Sequence, residues 1–239
     1  VPGASDGGSL GVEDIHTAGT TGEGVTVGII DFGFDATAPQ IQANVVETRS
    51  FTMTEQDPAH GTAVAEIVAR TAPDSDLHLV SASNDIQSKR AIEYLIQQDV
   101  DIIVASWGNP VYEDDGEHFF TTPIEDADAA GILFVTAAGN RAETHWEGPF
   151  QDTDNDALHE WTANGDEANC LPDCVTMYGG RLDITLRWKE TGQPSEYGIG
   201  LYNPVREEYI SSTTTVQQTE SNKFVRITGI IPQQPVDLV

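Results

Sequence analysis

The sequence predicts an α/β protein with a doubly wound parallel sheet, followed by a β-sandwich-like module. Up to about residue 145, short apolar runs alternate with segments of helical periodicity, which is the pattern of parallel strands joined by helical crossovers. After Trp146 the helical periodicity ends, and residues 182–188 alternate between apolar and polar at every second position. We therefore predict an α/β domain over residues 1–145 and a β-sandwich-like domain over residues 146–239.

The first domain is predicted to contain four strands and four helices. The strands are predicted at 25–30, 77–81, 101–106 and 132–138, and the helices at 12–18, 60–70, 87–98 and 121–130. Residues 1–10 are rich in glycine and serine and predict a loose arm, and residues 35–59 predict a polar connection. In the helix at 60–70, the predicted inward face consists of Ala63, Val64, Ile67 and Val68.

The second domain is predicted to be built from strands at 182–188, 197–202 and 223–231, separated by Gly, Pro and Asn. Trp161 and Trp188 allow two interpretations. They could bind carbohydrate as exposed aromatic rings, or they could fill the core between two sheets, which is the simpler explanation.

The charge balance restricts the partners of the protein. Lys and Arg number 11 against 39 Asp and Glu, which gives a net charge of -28. A surface this acidic repels polyanions, so we expect no nucleic-acid partner and no binding to an anionic membrane. A high-salt habitat and an ordinary acidic secreted protein both explain the imbalance. We also expect no membrane span, because no apolar run reaches the roughly 18 residues that one requires.

The two cysteines, Cys170 and Cys174, lie four positions apart. A short disulfide loop is the favoured interpretation, and it indicates an oxidising compartment. A zinc site would need further ligands, and His159 is the only histidine nearby. Two free thiols are the remaining alternative.

Three polar residues lie at predicted strand ends or helix starts, in the order acid, base, amide: Asp31, His60 and Asn140. Open α/β sheets place their chemistry at the carboxyl ends of strands, although a loop or capping role would also explain Asp31. A serine peptidase needs an imidazole base, a buried carboxylate that orients it, and donors for an oxyanion. The three residues match these needs.

Four segments in this part of the chain resemble one family. Residues 25–35 are Val-Thr-Val-Gly-Ile-Ile-Asp-Phe-Gly-Phe-Asp, residues 60–65 are His-Gly-Thr-Ala-Val-Ala, residues 106–108 are Ser-Trp-Gly, and residues 137–140 are Ala-Ala-Gly-Asn. In this order they resemble the subtilisin-like serine peptidases, also called subtilases or peptidase family S8, over about residues 11–145.

The resemblance implies a catalytic role for each polar residue: Asp31 orients the base, His60 is the general base, and Asn140 donates to the oxyanion. It also implies two substrate-binding segments. Ser106, Trp107 and Gly108 would pair with an extended substrate as an added strand, and Ala137, Ala138 and Gly139 would wall the pocket for the residue before the scissile bond.

The sequence departs from the family in its nucleophile. The family's serine lies in a Gly-Thr-Ser motif that opens a helix, and no such motif follows Asn140. Ser195, Ser211 and Ser212 lack that context. Some subtilases carry a β-sandwich insertion between the asparagine and the serine, so we expect the chain to be truncated before a serine beyond Val239, and to be inactive alone. The alternative is a non-catalytic pseudo-peptidase, or a peptide-binding module that uses residues 106–108.

Further expectations concern ligands and partners. Asp152, Asp154 and Asp156 alternate as in loops that bind calcium through oxygen ligands, although a solvated acidic turn would have the same pattern. The resemblance implies a protein or peptide substrate, a propeptide, an extracellular location, and no cofactor for the chemistry itself.

Overall fold

The computed structural model describes residues 11–53, 57–107, 120–139, 146–162, 164–170, 180–188, 196–213, 217–218, 223–231 and 237–238. The chain forms two compact units. One consists of Val1–Asn109 with Asp114–Asn140, and the other of Pro110–Glu113 with Arg141–Val239. The boundary predicted at residue 145 falls outside the described residues and stays a prediction.

The first unit contains a five-stranded parallel sheet in the order β2-β3-β1-β4-β5. Its strands are β1 (Thr26–Asp31), β2 (Val45–Ser50), β3 (Asp76–Ser81), β4 (Ile102–Ala105) and β5 (Leu133–Thr136). β1 is the central strand, and it is buried from Val27 to its last residue, Asp31. A strand covered on both faces needs a continuous apolar run, which is what the sequence has there.

The helices of this unit are α1 (Val12–Thr17), α2 (Ala59–Thr71), α3 (Asp85–Gln97) and α4 (Thr121–Ala129). α2 covers one face of the sheet and α3 the other, whereas α1 has no buried residue. Ala65 of α2 packs in one hydrophobic cluster with Val27 and Ile29 of β1. Gly28, between them, faces the opposite side of the sheet, where Leu95 of α3 lies against it. The predicted doubly wound α/β fold is confirmed.

Side-chain hydrogen bonds determine where α3 begins. The side chain of Asn84 accepts the backbone N–H of Gln87 at 3.0 Å, as an N-cap does. The Gln87 side chain in turn accepts the backbone N–H and the hydroxyl of Ser83 at 2.8 and 2.9 Å. The crossover from β3 to β4 therefore begins directly after β3, as the alternating pattern predicted.

Two details of the first unit differ from the prediction. β2 lies in the stretch that was predicted to be a polar connection; it is an edge strand with exposed side chains from Val46 onward, so its sequence has no buried-strand pattern. In α2 the buried residues are Gly61, Ala65 and Ala69, whereas Ile67 is 48% exposed. Small residues bring the helix close to the sheet, and the larger Val64 and Val68 flank the contact.

The second unit contains two antiparallel sheets, ordered β10-β11-β7 and β6-β12-β8-β9. The strands are β6 (Asn169–Cys170), β7 (Gly180–Trp188), β8 (Ile199–Asn203), β9 (Glu208–Thr213), β10 (Gln217–Gln218), β11 (Lys223–Ile231) and β12 (Asp237–Leu238). Buried residues from both sheets form one cluster: Ile199, Leu201, Val225 and Ile227. This arrangement is consistent with the predicted β-sandwich-like module.

Trp161 and Trp188 both pack against this cluster. The core interpretation therefore explains the two rings. The side chain of Cys170 and the whole of Cys174 lie outside the described residues, so their pairing stays a prediction. In the part of the chain that the structure describes, no helix combines the length and the apolar character that crossing a membrane requires.

Candidate active site

The sheet topology places Asp31 at the point where the winding of the sheet reverses. β1 and β4 are neighbours, but the chain after β1 leads towards β2 and β3, whereas the chain after β4 leads towards β5 on the other side. A crevice forms outside the carboxyl ends of two such strands, and it is the usual ligand site of open α/β sheets. Asp31 is the last residue of β1, at this crevice.

Asp31 and His60 form a hydrogen-bonded pair. His60 Nδ1–H donates to Asp31 Oδ2 at 2.8 Å, and Asp31 Oδ1 accepts the backbone N–H of Phe32, also at 2.8 Å. The carboxylate side chain is 1% exposed and the imidazole 57% exposed. Because Nδ1 carries the proton that faces the carboxylate, Nε2 of the neutral ring is the nitrogen that can accept a proton.

Gly61 allows α2 to approach the turn after β1. A Cβ at residue 61 would overlap the carbonyl oxygen of Gly33 and would lie 2.9 Å from Cβ of Asp31. It would also lie 3.0 Å from the ring of Phe34. The first helical turn, which carries His60, can therefore lie directly on the segment that carries Asp31 only because residue 61 has no side chain.

The predicted substrate-binding segments follow two neighbouring strands. Ser106 and Trp107 come after β4 and are partly buried, and residues 137–139 come after β5 and are exposed. Thr136 joins the two strand ends, because its hydroxyl donates to the carbonyl oxygen of Ala105 at 3.1 Å. Thr136 was not among the predicted site residues, because it lies inside the strand predicted at 132–138 and no motif marks it. The Trp107 ring packs 5.0 Å from that of Phe120.

Two of the predicted site residues, Asn140 and Gly108, lie outside the described residues. Their roles as oxyanion donor and substrate-binding residue stay predictions. Of the predicted catalytic residues, the structure brings together Asp31 and His60.

The three aspartates at 152, 154 and 156 lie together in the second unit. Each offers a carboxylate oxygen, and these oxygens lie within 4.8 Å of one another. Asp152 also accepts the backbone N–H groups of Asn155 at 2.7 Å and Ala157 at 3.1 Å, which folds the loop around its carboxylate. The negative charge of Asp156, followed by desolvation and the charges of neighbouring carboxylates, raises the pKa of Glu167.

An apolar strip lies uncovered on the α2 face of the sheet. Leu133 and Val135 pair in register with Ile102 and Val104, which pack in the cluster that α2 covers. Residues paired across parallel strands point to the same face, so all four share the side of the sheet that carries α2. Leu133 is 59% and Val135 44% exposed.

The model of the Subtilase family, peptidase family S8, matches residues 22–170, which is more than half of the chain. The chain belongs to the subtilase family. The match contains both Asp31 and His60. A subtilase is a serine peptidase by family, and its chemistry requires no cofactor.

Several subtilases are similar to this chain. The intracellular serine protease of Paenibacillus polymyxa is 35% identical over 147 residues, which cover 52% of this chain and 44% of that protein. Subtilisin of Bacillus pumilus is 31% identical over 150 residues, covering 54% of this chain and 52% of subtilisin. The chain thus matches about half the length of these relatives. Among solved structures, the prenylagaramide maturation protease PagA is similar with a TM-score of 0.46 and 20% identity, over 54% of this chain and 51% of that one.

Proposed function

We propose that this subtilase chain supplies the acid, the base and the substrate-binding segments of a serine endopeptidase. The observation that carries the proposal is the hydrogen bond from His60 Nδ1–H to the buried carboxylate of Asp31 at the crevice of the sheet. An orienting carboxylate on one side of the ring and an exposed basic nitrogen on the other are what a general base for a hydroxyl nucleophile needs.

The roles proposed follow from this geometry. His60 Nε2 takes the proton of a serine hydroxyl while the serine oxygen attacks the scissile carbonyl carbon, and Asn140 donates to the oxyanion that forms. His60 then gives the proton to the leaving amine as the peptide C–N bond breaks, and water hydrolyses the acyl-enzyme by the same route. Asp31 keeps the His60 ring in the tautomer that carries its proton on Nδ1, and its negative charge stabilises the imidazolium that forms during the reaction.

The substrate is proposed to be a protein or peptide in extended conformation. Ser106, Trp107 and Gly108 would pair with it as an added strand, and Ala137, Ala138 and Gly139 would wall the pocket for the residue before the cleaved bond. The two strands that lead into these segments, β4 and β5, are neighbours, and β4 in turn pairs with β1, the strand that ends at Asp31.

The serine nucleophile is proposed to lie on a segment outside residues 1–239. The uncovered strip of Leu133 and Val135 supports this, since a packed helix would bury those side chains on the α2 face of the sheet. Ser211 and Ser212 do not suit the role, because they lie within β9 and not at the start of a helix.

A fluorophosphonate probe, which labels activated serines, tests the proposal. The 239-residue chain should remain unlabelled, whereas a longer form of the protein that continues past Val239 should be labelled and should cleave peptides. In subtilisin, loss of a triad residue lowers kcat by about 10⁴-fold or more, and we expect a similar loss from Asp31→Asn and from His60→Ala.

The matched control is Asp74→Asn, because Asp74 is exposed and precedes β3, at the opposite edge of the parallel sheet from the carboxyl end of β1 where the pair lies. This variant should keep full activity. A longer protein that is neither labelled nor active would contradict the peptidase proposal and favour the alternative, a pseudo-peptidase that binds peptides through residues 106–108.

We also propose a calcium site at Asp152, Asp154 and Asp156. Calcium takes six to eight oxygen ligands at about 2.4 Å, so ligands on opposite sides are about 4.8 Å apart, and the mutual spacing of these carboxylate oxygens fits within that limit. Calorimetric titration of chelator-treated protein should give a binding isotherm that Asp154→Asn weakens. No heat at millimolar calcium would contradict the site.

The proposal extends to where the protein is located and to the salt concentration to which it is adapted. We infer an extracellular protein, made with a propeptide and adapted to high salt, from its family and from its net charge of -28. The similarity to a relative named as intracellular makes the location a point to test. Detection of the protein in culture medium rather than in washed cells tests it directly.

A further inference from the structure

The proposed acid and base lie on two segments that are separate in sequence. Asp31 ends β1, and His60 lies 29 residues later in the first turn of α2. Their hydrogen bond therefore depends on how the turn after β1, residues 32–35, is held against the start of α2. Gly61 permits this contact but supplies no directional bond to fix it.

Thr62 supplies that bond. Its hydroxyl donates to the carbonyl oxygen of Pro58 at 2.7 Å and accepts the backbone N–H of Asp35 at 2.9 Å. The backbone N–H of Thr62 also donates to the Pro58 carbonyl, at 3.0 Å. The hydroxyl thus joins the end of the turn after β1 to the residue before α2. It does so as a donor to Pro58 and as an acceptor from Asp35 at the same time.

Asp35, the last residue of the turn after β1, also begins a second turn, residues 35–38, which its own hydrogen bonds close. Asp35 Oδ1 accepts the backbone N–H of Thr37 at 3.0 Å and its hydroxyl at 2.6 Å. The backbone N–H of Ala38 donates to the Asp35 carbonyl at 3.1 Å. A bond from Thr62 to the N–H of Asp35 therefore holds a residue that is already fixed by the turn that follows, and it anchors the end of the 32–35 segment that lies away from Asp31.

We propose that Thr62 is a positioning residue for the proposed peptidase: its hydroxyl aligns the turn after β1 with α2, and so sets the distance between Asp31 Oδ2 and His60 Nδ1. Because the His60 ring is 57% exposed, few contacts other than the carboxylate hold it. The inference rests on the proposed function for its catalytic meaning, but the alignment itself is a property of this chain.

The test is proton NMR of the 239-residue chain, which needs no nucleophile. Wild-type protein should show a slowly exchanging, low-field resonance of the His60 Nδ1 proton, absent in His60→Gln. Thr62→Val keeps the shape but removes the hydroxyl, and it should broaden or abolish this resonance. Thr62→Ser keeps the hydroxyl and should retain it.

Thr71→Val is the matched control. The Thr71 hydroxyl donates to the Ile67 carbonyl at 2.8 Å at the other end of the same helix, so this variant loses a similar hydrogen bond without touching the turn after β1. It should leave the His60 resonance unchanged. In the longer, active protein, Thr62→Val should lower kcat about 10- to 100-fold with little change in KM, because it misaligns the base.

Three results would overturn the inference: an unchanged His60 resonance in Thr62→Val, its loss in Thr62→Ser, or a failure of both Thr62→Val and Thr62→Ala to fold. The last would make the hydroxyl a requirement of the whole fold, not of the pair. An intact alignment effect in a longer protein that lacks peptidase activity would instead contradict the proposed function and leave the role of Thr62 standing.

Discussion

At Gly61 two physical effects of a single methyl group oppose each other. Alanine is favoured over glycine inside a helix by about 1 kcal/mol, but a Cβ here would overlap the Gly33 carbonyl oxygen. Overpacking of this kind costs roughly 1–3 kcal/mol, and a backbone carbonyl cannot rotate away as a side chain can. We therefore expect Gly61→Ala to destabilise the contact between α2 and the turn after β1.

Native-state hydrogen exchange tests this prediction, because it measures the free energy of opening at the amides of α2 and β1. The opening free energy should fall in Gly61→Ala, and the His60 Nδ1 proton resonance should be lost with it. A rise in the opening free energy would mean that helix propensity outweighs the overlap, and that α2 can move back without disturbing the pair.

His78 gives the first unit a defined response to acid. Desolvation lowers the pKa of its imidazole below the usual 6.5, although the charges of Glu47 and Asp76 act in the other direction. Above about pH 6.5 the ring is neutral in both folded and unfolded chains. As the pH falls below that value the unfolded chain binds the proton first, so stability is lost down to the folded-state pKa.

We expect His78→Gln to be less sensitive to acid than the wild type. Urea unfolding at pH 7.5 and at pH 5.0 should give a smaller difference in midpoint for the variant, since its side chain does not titrate. An equal difference in both proteins would place the acid sensitivity on other groups.

The contact between Asp31 and His60 was predictable, because the chemistry of each side chain and its position in the chain both pointed to it. Asp31 and His60 each lie at an element boundary, and the structure joins them by the bond that the sequence led us to expect. The contribution of Thr62 was not visible, because a threonine in the first turn of a helix is ordinary and only its partner, the N–H of Asp35, gives it a role.

At the scale of the elements, the packing of β1 against α3 depends on a residue without a side chain. A Cβ at Gly28 would lie 2.6 and 2.7 Å from the two methyl carbons of Leu95, which is fully buried. Gly28→Ala should therefore cost about 1–3 kcal/mol, and Leu95→Ala alone about 2–5 kcal/mol through the cavity that it leaves.

The double variant Gly28→Ala/Leu95→Ala tests whether the two residues are in direct contact. If the two residues share one space, Gly28→Ala in the Leu95→Ala background should cost little, so the two effects will not add. Opening free energies of β1 amides, from hydrogen exchange in all four proteins, give the coupling. Strict additivity would contradict the close packing.

The elements that the sequence predicted well are the ones with a clear burial pattern. β1 has a continuous apolar run because helices cover both its faces, and α3 has a cap and one buried side. β2 was missed because an edge strand with exposed side chains carries no such pattern, and its register shifts between Val45 and Glu47. The buried face of α2 was misjudged because small residues, not large ones, make its contact.

At the scale of the whole molecule, the net charge of -28 sets how stability depends on salt. Like charges repel across a compact surface, and the Debye length falls from about 10 Å at 0.1 M salt to about 3 Å at 1 M. Exposed ion pairs in the part of the chain that the structure describes, such as Lys89–Glu93 at 3.9 Å and Arg206–Glu208 at 3.6 Å, offset little of this repulsion. We expect the melting temperature to rise steeply with KCl and to level off near 1 M.

A charge-neutralising variant separates screening from the general effect of solutes on folded proteins. Glu125, Asp126 and Asp128 are exposed on α4, and changing them to Gln, Asn and Asn removes three of the 39 acidic groups. If repulsion limits stability, the triple variant should melt at a higher temperature than the wild type in 0.05 M KCl, and the difference should shrink in 2 M KCl, where the wild-type charges are already screened. Sucrose at matched osmolality should stabilise both proteins equally, because it does not screen charge.

A wild-type protein that is as stable in dilute buffer as in molar salt would contradict adaptation to high salt. The acidic surface would then be explained by solubility alone.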